Sequence, residues 1–277
     1  MNLDRLIHFM NRPNVYNCGD VSSSSSYFPQ FFDIGMCIRH SLDDVRYDYI
    51  SPSDWIILGG GGIIGNGRDH DKAIERLFQI TPNIIVWGAG SHLYGKAKRA
   101  EMDYYKRFKL LGVRDFSFTP ANTEETLPWL PCVTCMSDEF DKAHTSLREV
   151  GVVKHYNHHL TMPDIGGYES IIQCVDINQS IRFIATSESI ITNSYHAAYW
   201  GTLLGKKVVC EPFADVDKFS HYKYMPTIYS GNLQNDLESA ICYSGVLDEC
   251  RTLNIEFFEK VSTLINSGSM PKQKNYL

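Results

Sequence analysis

No stretch of this chain approaches the ~20 consecutive apolar residues that a membrane-crossing helix needs. The nearest candidate, Asp54-Trp55-Ile56-Ile57-Leu58, runs straight into glycines and reads as a buried strand. The opening residues, Met1-Asn2-Leu3-Asp4-Arg5, place an acid where an export signal needs basic and then apolar residues. These two absences predict a cytoplasmic protein with no membrane span; a peripheral contact with a membrane stays open. A basic excess is lacking too. Lys and Arg total 26 against 32 Asp and Glu, a formal charge of −6, which argues against nucleic acid as the partner. A local basic pocket for a small anion is still compatible with that balance.

Repeats of solenoid period are missing, and Ser22 to Ser26 is the only low-complexity stretch, short enough to be a loop near a helix start. The chain has no GxGxxG, no Gly-Lys-Ser/Thr phosphate loop and no HExxH, so nucleotide or metal binding by those devices is unsupported. The eight cysteines, in a chain of 277 residues with no export signal, make no dense disulfide scaffold and read as reduced thiols. Cys132-Val133-Thr134-Cys135 has the spacing of half a zinc site or a redox motif. Without a second pair it reads as two structural thiols in a loop.

What is present is a strand–helix alternation. Asp54–Leu58 is followed by Gly59 to Gly62, and Asn83-Ile84-Ile85-Val86-Trp87 by Gly88-Ala89-Gly90. Continuous β-branched runs fit strands covered on both faces, as in a parallel sheet. Between them, Ile74, Leu77 and Phe78 give residues 71–80 a helical spacing, and residues 101–111 are expected to form another helix. From Thr119 to Ser137 three prolines and little periodicity mark a connection. The alternation then resumes: a strand at 150–153, a helix at 179–186, a strand at 189–192 and a helix at 195–204. A strand at 207–210 and a closing helix at 254–265 complete it. The expected architecture is α/β, two Rossmann-like halves (1–130 and 131–277) with a ligand cleft between them.

Several residues at strand ends carry possible chemistry. Gly60, Gly61 and Gly62 are read equally well as a backbone nest for an anion or as a tight turn. Asn193-Ser194-Tyr195-His196 opens a helix at a strand end, where free amides attract anions and a histidine can move a proton. Packing within the cleft is the bland reading of that histidine. Arg114 follows a strand and has the fork to clamp a carboxylate or phosphate, or to pair with Asp115. Among His155, His158 and His159 the spacing does not suit a metal, and none is expected; His155 is best placed to face the cleft.

Taken in order, these segments resemble the polysaccharide pyruvyl transferase family. The matching stretches are Asn17-Cys18-Gly19-Asp20, the Gly59–Gly62 run, Gly112-Val113-Arg114-Asp115 and the strand ending at His155. Ile191 to Ala198, Gly205 to Val209 and Asp217-Lys218 follow. The resemblance implies a GT-B-like arrangement and transfer of the pyruvyl group of phosphoenolpyruvate onto two hydroxyls of a sugar, as a cyclic ketal. The sugar would belong to a surface polysaccharide or its lipid-linked precursor, and no cofactor is implied beyond that co-substrate. His196 would then donate the proton, Arg114 and Lys218 would hold the anion, and Asn17, Gly19 and Asp20 would line the acceptor side. The family usually carries an arginine two residues before this histidine; here the position is Ser194, which has no guanidinium fork. Lys206 and Lys207 are further cations nearby in sequence. Two other functions suit the scaffold. One is a glycosyltransferase using a nucleotide sugar, with Glu211 where such folds often bind a ribose. The other is a sugar- or nucleotide-binding protein without catalysis.

Overall fold

The computed structural model describes residues 6–13, 16–32, 37–64, 69–91, 104–120, 124–157, 162, 167–173, 176–211, 219 and 221–267. The chain is a mixed α/β protein built on parallel sheets. The first sheet is made of β1 (Ile7–Asn11), β2 (Cys37–Ser41), β3 (Trp55–Gly59), β4 (Gly62–Ile64), β5 (Ile84–Ser91) and β6 (Leu110–Val113). Its order is β2-β1-β3-β5-β4, with β6 also paired to β5. The second contains β7 (Arg148–His155), β8 (Ser170–Gln173), β9 (Ser187–Thr192), β10 (Lys207–Cys210) and β11 (Thr227–Ile228), in the order β11-β10-β9-β7-β8. Every described strand pairing is parallel.

The two sheets share one topology. In each, the second strand lies on one side of the first and the later strands on the other. The order therefore reverses at β1/β3 and at β7/β9, the places where open α/β sheets hold ligands beyond the strands' carboxyl ends. A glycine is required at one of these ends. Gly60 turns the chain after β3 with φ of +66°, and a Cβ on it would overlap the Ser23 side chain. The Gly60-Gly61 link is thus a tight turn packed on the serine loop.

The helices are α1 (Cys18–Val21), α2 (Asp69–Ile80), α3 (Ile177–Ala185), α4 (Tyr195–Leu203), α5 (Leu233–Ser239) and α6 (Val246–Ser267). α3 begins at a strong cap, Asp176, whose carboxylate accepts from the Asn178 and Gln179 amides. α4 is buried at all nine positions, so it has no polar face, and Trp200 donates to Thr134 Oγ1 at 3.0 Å to satisfy its buried indole N–H. α6 runs well beyond the expected 254–265 and packs on the first sheet. Phe257 lies edge-on to Trp87, Phe258 meets Phe31 and Phe32, and Asn254 Oδ1 accepts from Trp87 Nε1 at 2.7 Å. One apolar cluster consequently runs from Phe9 and Trp87 of the first sheet to Val153 and Ile190 of the second.

The expected helix over 101–111 is not what the described part shows. Tyr105–Arg107 is a single 3-10 turn and Leu110–Val113 is β6, paired with β5 from Ile85↔Leu110 onward; residues 101–103 lie outside the described set. Tyr104, Tyr105 and Phe108 are buried as the spacing demands, but in the core on the outer face of the first sheet. Strand pairing outweighs the local periodicity.

Candidate functional site

The carboxyl ends of β1, β7 and β9, with β6, meet at one place. Arg114, one residue after β6, has Nη1 at 3.2 Å from His196 Nε2 in the first turn of α4, a contact spanning 82 positions of sequence. Both side chains are buried, at 6% and 2% exposed, so this pairing is sealed from bulk water. Arg114 also lies over the Tyr195 ring, 4.0 Å from its centroid. Gly90 on β5 makes room for it, since a Cβ there would collide with the guanidinium. Burial works against the charge of Arg114, but Asp115 and Asp20 are among the acidic groups that more than offset it; its proton is held above the ordinary range.

An arginine only donates, so the 3.2 Å contact uses the Nε2 lone pair of His196 and leaves the proton on Nδ1. That nitrogen faces Asp20 Oδ1 at 3.9 Å and rests on Gly19, where a Cβ would overlap the imidazole. Asn17 caps the short turn after β1: its Oδ1 accepts from Gly19 N at 3.1 Å while its Nδ2 donates to Asp20 Oδ2 at 3.2 Å. Asn17, Gly19 and Asp20, expected to line the acceptor side, therefore stand beside the His196 imidazole. Gly61 lies against Asp20, with Oδ1 at 3.2 Å from its Cβ position. Gly62 starts β4 and pairs with Gly90. Asp20 and Gly62 are the partly exposed members of this group.

Ser194 is almost wholly buried, and its hydroxyl donates to Gln173 Oε1, whose amide in turn donates to Asn17 Oδ1 at 3.2 Å. The chain Asn17–Gln173–Ser194 therefore ties the turn after β1 to the ends of β8 and β9. Gln173 was not expected from sequence: a lone amide at the end of a short strand gives no signal. His155 sits one layer away. Its backbone amide donates to Asn193 Oδ1 at 2.6 Å and its Nδ1 accepts from Asn157 N at 3.2 Å. His158, His159 and Lys218 lie outside the described residues.

Glu211 follows β10, with its amide on the Thr192 carbonyl at 2.9 Å; burial pushes its carboxyl up. Lys206 and Lys207 do not approach the site. They stand at the amino end of β10, the edge opposite to Cys210, and Lys206 Nζ donates to the Ala185 carbonyl at 2.9 Å. Cys132 and Cys135 are buried free thiols, both pushed up by burial, and no metal-binding cluster exists among the described residues. Cys132 Sγ lies 3.9 Å from His196 Nε2, a neighbour that the sequence reading assigned only to packing. Among the described residues no helix is long and apolar enough to cross a membrane.

The sequence model of the polysaccharide pyruvyl transferase family matches residues 11–211. No curated protein matches the chain. Among solved structures, a functionally uncharacterised protein from Klebsiella pneumoniae is similar at a TM-score of 0.52 and 15% identity. The match covers 80% of this chain and 88% of that one, a likeness of fold alone. An α-glucosyltransferase in complex with UDP and a 13-mer DNA aligns at a TM-score of 0.40 and 10% identity, over 94% of this chain and 90% of that one.

Proposed function

Because the chain belongs to the polysaccharide pyruvyl transferase family, we propose that it moves the pyruvyl group of phosphoenolpyruvate onto two hydroxyls of one sugar. The observation that carries this reading is the Arg114–His196 contact. We take the two sheets as the halves 1–130 and 131–277 of a GT-B-like arrangement, α6 returning to the first half, and the buried contact as its closed cleft. In this reading the donor's negative groups enter between Arg114 and His196. There its charge faces the guanidinium and a protonated imidazole together.

His196 then delivers a proton to the methylene carbon while a sugar hydroxyl bonds to the adjacent carbon and gives up its proton, with Asp20 placed to receive it. A second hydroxyl displaces phosphate from that carbon and returns its proton to His196, while the proton held by Asp20 leaves with phosphate, so the products are the cyclic ketal and hydrogen phosphate. No metal or resident cofactor enters these steps. Lys218 is the second anion holder in this scheme, since Ser194 contributes a hydroxyl already donated to Gln173. The acceptor is a sugar of a surface polysaccharide or of its lipid-linked precursor, and a cytoplasmic site of action goes with this donor.

That same Ser194 favours a second reading, a glycosyltransferase or a non-catalytic binding protein that takes a nucleotide sugar, with Glu211 toward the ribose. Thermal-shift titration separates the two. Phosphoenolpyruvate at about 100 times its Kd should stabilise the chain by about 2.7 kcal/mol, and Arg114→Gln should abolish the shift. A shift with uridine or guanosine diphosphate sugars instead would replace the first reading by the second. His196→Ala should lower phosphate release by about 10²-fold or more while remaining folded.

A further inference from the structure

Next to this site, on the same carboxyl edge of the first sheet, a cavity of about 620 Å³ opens between the ends of β1 and β2 and the first turns of α2. Its size falls within the roughly 300–1,000 Å³ of small-molecule sites. None of the described residues that line it belongs to the group around Arg114 and His196. Arg12 directly follows β1, and its Nε is 3.2 Å from Asp43 Oδ2. The other oxygen of Asp43 meets His70 Nε2 at 2.7 Å, so this carboxylate is held from two sides. His70 Nδ1 is buried and has no partner among the described residues. Arg76 is exposed, stacks over the Tyr47 ring at 3.9 Å and forms no ion pair among the described residues. Lys72, paired loosely with Asp69 at 3.5 Å, adds a third full cation; Asp43, Asp44 and Asp69 are the lining carboxylates, which leaves Arg76 as the cation without an acid partner among the described residues.

The cavity and the site adjoin. Asn11, the last residue of β1 and the neighbour of Arg12 in the chain, donates its side-chain amide to the Asp20 and Val21 carbonyls at 3.2 and 3.0 Å, which ties the two together. The exposed guanidinium of Arg76 keeps its planar fork available beside the Tyr47 ring, which a phosphoryl group matches and a neutral sugar does not use. We propose that this cavity is the acceptor subsite and that it takes a sugar bearing a phosphoryl group, held by Arg76 and Arg12, with the sugar hydroxyls directed toward Asp20. The inference rests on the reading of the chain as a sugar-modifying transferase and adds the place and charge of the acceptor.

Calorimetric titration of the full chain with glucose 1-phosphate, glucose and inorganic phosphate tests it. Glucose 1-phosphate should bind at least tenfold tighter than either of the others, and Arg76→Gln should weaken it about tenfold or more. Binding should fade with rising salt, as expected for an exposed charge contact. Saturating phosphoenolpyruvate should leave this binding in place, and so should His196→Ala. Equal binding of glucose, equal binding of inorganic phosphate, displacement by phosphoenolpyruvate or an unaffected Arg76→Gln variant would each overturn the subsite. Failure of the donor reading looks different: no response to phosphoenolpyruvate, with glucose 1-phosphate binding retained. Because Arg76 is exposed on α2, its variant should melt like the parent protein, which keeps a loss of binding from being mistaken for misfolding.

Discussion

His196 and Gly19 are a matched pair, because the imidazole occupies the space a side chain at position 19 would need. Gly19→Ala should therefore push His196 out of reach of Arg114. The expected cost is about 1–3 kcal/mol of stability, as for other overpacked cores, together with loss of turnover that melting alone does not explain. A variant with full activity would show that the Arg114–His196 contact is dispensable. The thiols give a second residue-scale test. Cys132 and Cys135 are buried with their protons held by burial, whereas Cys242 is exposed. Alkylation of the native protein should label Cys242 and spare the pair, since the thiolate is the reactive form. Rapid labelling of Cys132 or Cys135 would revive the redox reading of the motif.

Among the elements, α6 helps to join the two sheets. It follows the second sheet in the chain, yet its aromatic residues are buried against Trp87, Phe31 and Phe32 of the first. Phe257→Ala should cost about 3–5 kcal/mol, the range for deleting a buried aromatic ring, measured by urea midpoint. It should loosen both sheets together, because a single apolar cluster connects them. By contrast Asp176→Ala, which removes only the cap of α3, should cost about 1 kcal/mol.

At the scale of the whole molecule, the outer face of the first sheet contains a buried polar relay remote from the site. His8 Nδ1 is 2.8 Å from His40 Nε2, and His8 Nε2 is 3.1 Å from Asp54 Oδ2. Burial, reinforced by His8, holds the His40 pKa below its usual value. The unfolded chain then takes up a proton near pH 6.5 that the folded chain still refuses, so stability is present above that pH and declines as pH falls below it. Asp54 adds a lower window. Its burial alone would raise its pKa, but the Leu6 and Ser51 amides and His8 outweigh that, and its stabilisation is lost as pH falls below the usual carboxylate range. Urea midpoints at pH 7.5, 6.0 and 5.0 should fall in that order; a flat series would remove the relay as a source of acid sensitivity.

Local chemistry was enough to reveal much of this protein. Continuous β-branched runs marked β3, β5 and β9, helical spacing marked α2, strand–helix alternation marked α3 and α4, and glycines after strands pointed to the carboxyl edges where the site forms. Strands β1 and β2 escaped, because His8, Arg39 and His40 interrupt their apolar pattern, and only burial of His8 and His40 with Asp54 makes those residues compatible with a sheet. Residues 104–111 have helical spacing but lead into a strand paired with β5, since hydrogen bonding across strands depends on a distant partner that periodicity does not see. The site shows the same division. Residue type singled out His196 and Arg114 one at a time and the family resemblance added Asp20, whereas their meeting, the Gln173 bridge and the cavity beside them come from packing distant segments together. Side-chain chemistry is written residue by residue along the chain; distance between residues exists only once the chain is folded.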